Sequence, residues 1–148
     1  MAVEQRRSID DVLADARRVI SRLSPNEAAV AQAAGSVIVD TREYRYRRTE
    51  GDIPGAVHVP LSVLPWRLDP EGSMRSAAIQ GVEQRVILIC NDGFSSSLAG
   101  EWLVRIGFRD VSDVVGGFRA WSAAGLPVVT HGARKGRTAR SLAVMLVF

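Results

Sequence analysis

Cysteine is almost missing from this chain of 148 residues: Cys90 is the only one. A single thiol excludes an internal disulfide framework and is what a reducing compartment favours, so a cytoplasmic location is expected. Histidine is scarce too, at two residues, and with one cysteine it supplies no ordinary metal-ligand set; neither a metal nor a cofactor is expected. Long apolar runs are absent. The longest covers residues 142–148, far below the roughly 18 residues of a bilayer span, and no apolar signal-peptide core opens the chain. Lysine is reduced to Lys135, so arginine provides nearly all of the 19 cations, which face 16 acids for a net charge of +3. These cations are dispersed and follow no repeating aromatic-basic pattern, which argues against nucleic acid as a partner and favours attraction of small anions.

What is present fits one globular domain: 47% hydrophobic and 24% charged residues. Ser8 to Leu23 carries Ile9, Val12, Leu13, Ala16, Val19, Ile20 and Leu23 at three/four spacing, predicting one amphipathic helix. Ser24-Pro25-Asn26-Glu27 is a capping-box signature for a second helix that runs to Gly35. Short apolar strands follow at 36–40, 86–89 and 111–115, separated by a polar Arg-rich stretch at 41–52 and helical patterns at 98–106 and around Trp121. Strands alternating with helices predict an α/β fold, doubly wound, with a mostly parallel central sheet flanked by helices on both faces. Asp40, Cys90 and Gly116-Gly117 all fall at carboxyl ends of strands, where such sheets bind ligands. Three divisions are expected: an N-terminal amphipathic helix at 1–23, the main domain at 24–129 and a basic then apolar tail at 130–148, peripheral in role.

Cys90 closes the apolar run Val86-Ile87-Leu88-Ile89 and precedes the turn Asn91-Asp92-Gly93-Phe94-Ser95-Ser96-Ser97. A thiol there faces the first amides of a helix, which lack intrahelical partners and carry partial positive charge, so the reactive thiolate is favoured. Gly93 permits positive φ and the small serines let the amides converge on one point as an anion nest. The alternative is a free cysteine packed as a small hydrophobe, which would need no such turn. Phe94 is expected either as a wall at the mouth or as packing beneath the loop. Ser95 to Ser97 are expected to cap the helix. Trp102 and Trp121 are assigned to the core, Trp66 to packing or to the pocket's flank, and His58 to structure.

Four motifs in order carry a resemblance: Val39-Asp40-Thr41-Arg42-Glu43, then Gly51-Asp52-Ile53-Pro54-Gly55-Ala56, then the Cys90 loop, then Gly116-Gly117-Phe118-Arg119-Ala120-Trp121 with Gly125-Leu126-Pro127. Together they resemble a single-domain rhodanese-like sulfurtransferase. The resemblance implies that Cys90 is the catalytic nucleophile, carrying sulfur as a persulfide from a small anionic donor, thiosulfate- or mercaptopyruvate-like, to cyanide, a thiol or a protein acceptor. It places Asn91, Asp92, Gly93, Phe94, Ser95, Ser96 and Arg42 at the substrate, with amides of residues 91 to 96 around the sulfur. For Arg42 the other reading is a salt bridge bracing the turn after Asp40.

Two departures from the family pattern stand out. Asp52 occupies a position where the family often has His. The loop has Asn91 and Ser95 where thiosulfate-using members often carry cations, and it adds an acid, Asp92. Arg42, Arg47, Arg48, Arg67 and Arg119 are the candidates to restore positive potential. A catalytically weak binding or sensing module is the alternative function. A cysteine phosphatase is disfavoured because Ile89 and Ser96 stand where those enzymes have His and Arg.

Overall fold

The structure, a computed structural model, describes residues 5–131. The element order is α1 (Ile9–Val19), β1 (Ser21–Leu23), α2 (Pro25–Ala33), β2 (Val37–Asp40), α3 (Tyr44–Glu50), β3 (Val57–His58), α4 (Leu64–Leu68), β4 (Val86–Ile89), α5 (Ser95–Ile106), β5 (Val111–Val114) and α6 (Gly117–Ala123). The five strands form one parallel sheet in the order β1-β5-β4-β2-β3. The doubly wound expectation holds. Beyond residue 131 the expected C-terminal tail lies outside the described residues.

Alternation along β4 explains why both sheet faces are covered. Val86 and Leu88 sit in one buried cluster with Leu64, Leu68, Ala99 and Leu103 of α4 and α5. Ile87 and Ile89 point the other way, into a cluster with Ala28, Ala31, Phe118 and Trp121 of α2 and α6. Each of these β4 side chains is fully buried, worth about 1.5–3 kcal/mol of hydrophobic stabilisation. Trp121 is core, as expected.

The capping box at Ser24 and Glu27 forms as the sequence indicates. The first helix differs from expectation. It stops at Val19, Ile20 turns extended (φ −121°, ψ 167°), and Ser21–Leu23 becomes an edge strand. Pairing with β5 accounts for the change, since residues 21–23 align with residues 112–114 and the Val115 amide donates to the Leu23 carbonyl at 2.9 Å. Left alone, the edge of β5 would present unpaired backbone groups. Within the polar segment 41–52, Tyr44–Glu50 is helical although no residue of it is buried.

From β2 the chain steps outward to β3, then returns to the opposite side of β2 for β4 and moves on to β5. The winding reverses between β2 and β4, which is where an open parallel sheet forms a crevice at its strand ends. Thr41 and Arg42 follow β2 there, and Cys90 follows β4.

Candidate active site

Cys90 is 5% exposed at the end of β4. Its sulfur accepts hydrogen bonds from the Gly93 amide at 3.2 Å and the Ser96 amide at 3.3 Å, and lies 3.2 Å from Ser96 Oγ. The following amides therefore do aim at the sulfur, although only these two of the stretch 91–96 reach it among the hydrogen bonds described. Gly93 makes this geometry possible with φ +89°. A Cβ there would stand 2.8 Å from the Gly116 amide nitrogen, so the loop presses against the β5–α6 turn.

Beneath the loop is a polar cluster that sequence reasoning missed. Asp113 of β5 is fully buried and accepts from both Ser96 Oγ (2.8 Å) and Ser97 Oγ (2.7 Å). Arg22 Nε of β1 pairs with its other oxygen at 2.9 Å. Arg22 Nη2 and Arg17 Nη2 both donate to the Gly93 carbonyl, at 2.9 and 2.8 Å, and Arg17 Nε donates to Ser97 Oγ at 3.0 Å. Ser96 and Ser97 are thus tied to Asp113 instead of capping α5, whose N-cap residue Phe94 makes no side-chain cap bond. Burial and the neighbouring Arg22 lower the Arg17 pKa, while Asp113 and Cys90 pull it back up. The only signal in the sequence was Asp113 itself, a charge inside an apolar strand that needs a buried partner.

Four of the five candidate cations of the sequence reading, Arg42, Arg47, Arg67 and Arg119, are engaged by other groups. Arg42 is buried, and its Nε and Nη2 grip the Asp40 carboxylate while Nη2 also reaches the Gly51 carbonyl. Its guanidinium lies 3.7 Å from the centre of the Phe118 ring. This geometry is that of a brace between β2 and the segment after α3. Arg119 holds Asp92 through two 2.8 Å contacts and also meets Glu50, so the acid of the loop is neutralised from α6. Arg47 is taken up by Asp52 and Arg67 by the Met74 carbonyl. Phe94 is 61% exposed with the Arg17 guanidinium 5.6 Å from its ring centre, so it neither packs beneath the loop nor lines the cavity described next.

A cavity of about 710 Å³ opens in front of the sulfur. Its lining includes the polar residues Thr41, Arg42, Glu43, Cys90, Asn91 and Ser95 and the apolar Leu61, Pro65, Trp66 and Trp102. Trp102 therefore departs from its core assignment: it is 37% exposed and borders this space, as does Trp66 at 63%. Asn91, Ser95 and Arg42 border the cavity, whereas Asp92, Gly93 and Ser96 do not line it.

Asp52 forms the hub of a second network. It is fully buried, meets Arg47 at 2.9 Å and His131 at 2.6 Å, and stands 3.3 Å from His58. Donor atoms of Asp40, Asp52 and His58 approach within 4.8 Å of one another, close enough for a metal. Guanidiniums of Arg42 and Arg47 already neutralise those carboxylates, which makes this an ion-pair network. Burial works to raise the Asp52 carboxyl, but hydrogen bonds from Arg47 and His131 and the charge of His58 outweigh it and hold it below its ordinary value. Burial, then the charge of Arg47, pushes His58 below the ordinary imidazole value. Both shifts mean that the unfolded chain binds protons the folded one refuses, so stability falls on acidification. Thermal unfolding should show full stability above about pH 6.5, a first loss below it and a second below about pH 4. Asp52→Asn should shrink the second loss and deepen the first, because the Asp52 charge is one of those that favour protonated His58.

A parallel sheet whose reversal point presents one cysteine in an amide cradle defines the class of protein. The sequence model of the rhodanese-like domain matches residues 24–124. GlpE thiosulfate sulfurtransferase of Pseudomonas savastanoi pv. phaseolicola is 31% identical over 102 residues, covering 69% of this chain and 87% of that protein. GlpE of Stutzerimonas stutzeri is 32% identical over 100 residues, covering 68% and 83%. A Rhodopseudomonas palustris protein of unknown function, described as a possible tyrosine phosphatase, superposes with TM-score 0.76 at 29% identity over 87% of this chain and 99% of its own. The polysulfide-sulfur transferase of Wolinella succinogenes shares the fold at TM-score 0.68 and 18% identity, over 86% and 91% of the two chains. The chain belongs to the rhodanese-like domain family. Among the described residues no helix is long and apolar enough to cross a membrane.

Proposed function

We propose that this chain is a rhodanese-type sulfurtransferase working through a Cys90 persulfide. The observation that carries the reading is the sulfur held by the Gly93 and Ser96 amides at the mouth of a cavity. Cys90 thiolate attacks the outer sulfur of a small anionic donor, thiosulfate- or mercaptopyruvate-like. The donor's bond to that sulfur breaks, and sulfite or the enolate of pyruvate departs with the electron pair. The terminal sulfur of the persulfide carries the new negative charge, and each charge-assisted hydrogen bond offered to it is worth roughly 1.5–3 kcal/mol. Cyanide, a low-molecular-weight thiol or a protein thiol then attacks the terminal sulfur and releases Cys90 as thiolate. The chain has no second cysteine to resolve the persulfide, so the acceptor comes from outside. Asn91 and Ser95 border the path of both substrates, and Arg42 shapes it by bracing the turn. Reliance on a persulfide suits a reducing cytoplasm.

Phosphatase chemistry fits this loop poorly. A phosphoryl group needs a guanidinium fork near the thiolate, yet position 96 is Ser and its hydroxyl is bonded to a buried carboxylate.

The reading is tested by intact-mass analysis after incubation with thiosulfate or mercaptopyruvate. The expected result is a gain of one sulfur atom, removed by cyanide. No gain with either donor, while Cys90 still reacts with an alkylating agent, overturns it in favour of a binding module.

A further inference from the structure

The thiol, one hydroxyl and one carboxylate form a continuous chain under the loop, and its donors follow by exclusion. Asp113 Oδ2 lies 2.8 Å from Ser96 Oγ, 2.7 Å from Ser97 Oγ and 3.3 Å from Arg22 Nη2, while Oδ1 receives Arg22 Nε at 2.9 Å. An ionised carboxylate only accepts, so both serine hydroxyls donate to it. The single hydroxyl proton of Ser96 is thereby committed to Asp113. Its oxygen is left to accept from the sulfur 3.2 Å away, and the thiol proton lies along that contact. Ser96 and Asp113 are fully buried, so water has no access to the chain from behind the sulfur.

We propose that Ser96 and Asp113 are a proton relay for Cys90, an inference that rests on Cys90 being the nucleophile. Ser96 touches the reacting sulfur; Asp113 acts through it as a positioning residue and as the final proton acceptor. Before Cys90 attacks as thiolate, its S–H bond breaks and the proton bonds to Ser96 Oγ. The original Ser96 proton passes to Asp113 Oδ2. The result is a thiolate, an intact serine and a carboxylic acid, with the net charge of the cluster unchanged. Negative charge has moved from beneath the loop to the sulfur, where the amides of Gly93 and Ser96 receive it. When the acceptor removes the sulfane sulfur and thiolate is regenerated, the protons return by the same path.

The charged groups around the relay come from several elements. Arg17 of α1 and Arg22 of β1 hold the Gly93 carbonyl. Asp92 and Arg119 pair with each other on the exposed side of the loop, and Asp40 and Arg42 pair at the end of β2. Arg22 remains against Asp113 in both protonation states and fixes the carboxylate under Ser96.

The test is the rate of Cys90 alkylation by iodoacetamide from acid to alkaline pH, a readout that needs no sulfur donor. With an internal proton acceptor the wild-type rate levels off on the acid side, because the thiolate fraction there is set by the coupled pair and not by solution pH. Asp113→Asn and Ser96→Ala should each lose that plateau and react at least about tenfold more slowly on the acid side. The double variant should be no slower than either single one, since the two residues act as a unit. If Asp113 were only a negative charge near the sulfur, Asp113→Asn would favour the thiolate and speed alkylation. Faster alkylation, or a plateau surviving in Ser96→Ala, overturns the relay. Ser96→Ala keeps the Arg22–Asp113 pair and decides the question should Asp113→Asn fail to fold. A wild-type plateau lost in the variants, in a protein that takes no sulfur from any donor, supports the relay and overturns only the sulfur-transfer reading.

Discussion

Cys90→Ser protein incubated with thiosulfate or mercaptopyruvate should keep its original mass, and its sulfur transfer to cyanide should fall to the uncatalysed rate. No other residue can take the role, because the chain holds no second thiol. The fold should survive the exchange. The site of Cys90 is already polar, with two amides directed at the side chain and Ser96 Oγ beside it, so a hydroxyl finds partners there. The expected change in stability is below about 1.5 kcal/mol, since volume and hydrogen bonding are nearly kept. Denaturant unfolding alongside the mass measurement separates loss of chemistry from loss of structure. A Cys90→Ser protein that still gained a sulfur would place the nucleophile elsewhere.

Gly117→Ala should be the most damaging change of a single methyl. Gly117 has φ +63°, and a Cβ built on it would lie 2.5 Å from the Cys90 carbonyl oxygen and 2.7 Å from the Asn91 carbonyl carbon and oxygen. These are backbone atoms of the reactive loop, not side-chain tips that can swing aside. The left-handed conformation alone costs a non-glycine residue about 1–2 kcal/mol. Relieving the overlap would also strain the hydrogen bonds that the Phe118 and Arg119 amides give to the Cys90 and Asn91 carbonyls, at 2.7 and 3.2 Å. A total destabilisation of about 3 kcal/mol or more is expected. Because the loop must shift to make room, persulfide formation should drop by roughly a hundredfold or more even in molecules that stay folded, as small misplacements of reacting groups do. Gly125→Ala is the matched control: it also has positive φ, but nothing lies within 4 Å of its added Cβ, so it should lose stability without the loss of sulfur loading.

Fold class and the amide cradle around Cys90 were legible because each rests on local pattern. Val86 to Ile89 reads as a buried strand whatever lies around it, and Gly93-Phe94 with the three serines after them reads as a turn into a helix. The capping box at Ser24 was likewise a local signal that the fold kept. Tertiary pairing was not legible. Ser21 to Leu23 continued a helical spacing, and only the open edge of β5 makes them a strand. The same blindness hid Arg17 and Arg22, which lie more than 70 residues before the loop they hold and whose role depends on that pairing. The cations chosen by their nearness in motif order, Arg42 and Arg119, turned out to be held by Asp40 and Asp92. Trp102 misled for a related reason. Its helical position was right, but the face it shares with Trp66 borders a cavity instead of a packed interior.

The sheet order carries one further consequence. β1 lies at the rim beside β5, so Arg22 reaches the back of the thiol loop from the edge strand while Arg17 reaches it from the preceding helix α1. Both arginines precede residue 24, where the match to the family begins. The reactive loop thus has a rear handle as well as an open front. Displacing α1 would withdraw the Arg17 bonds to the Gly93 carbonyl and to Ser97 Oγ from the back of the loop.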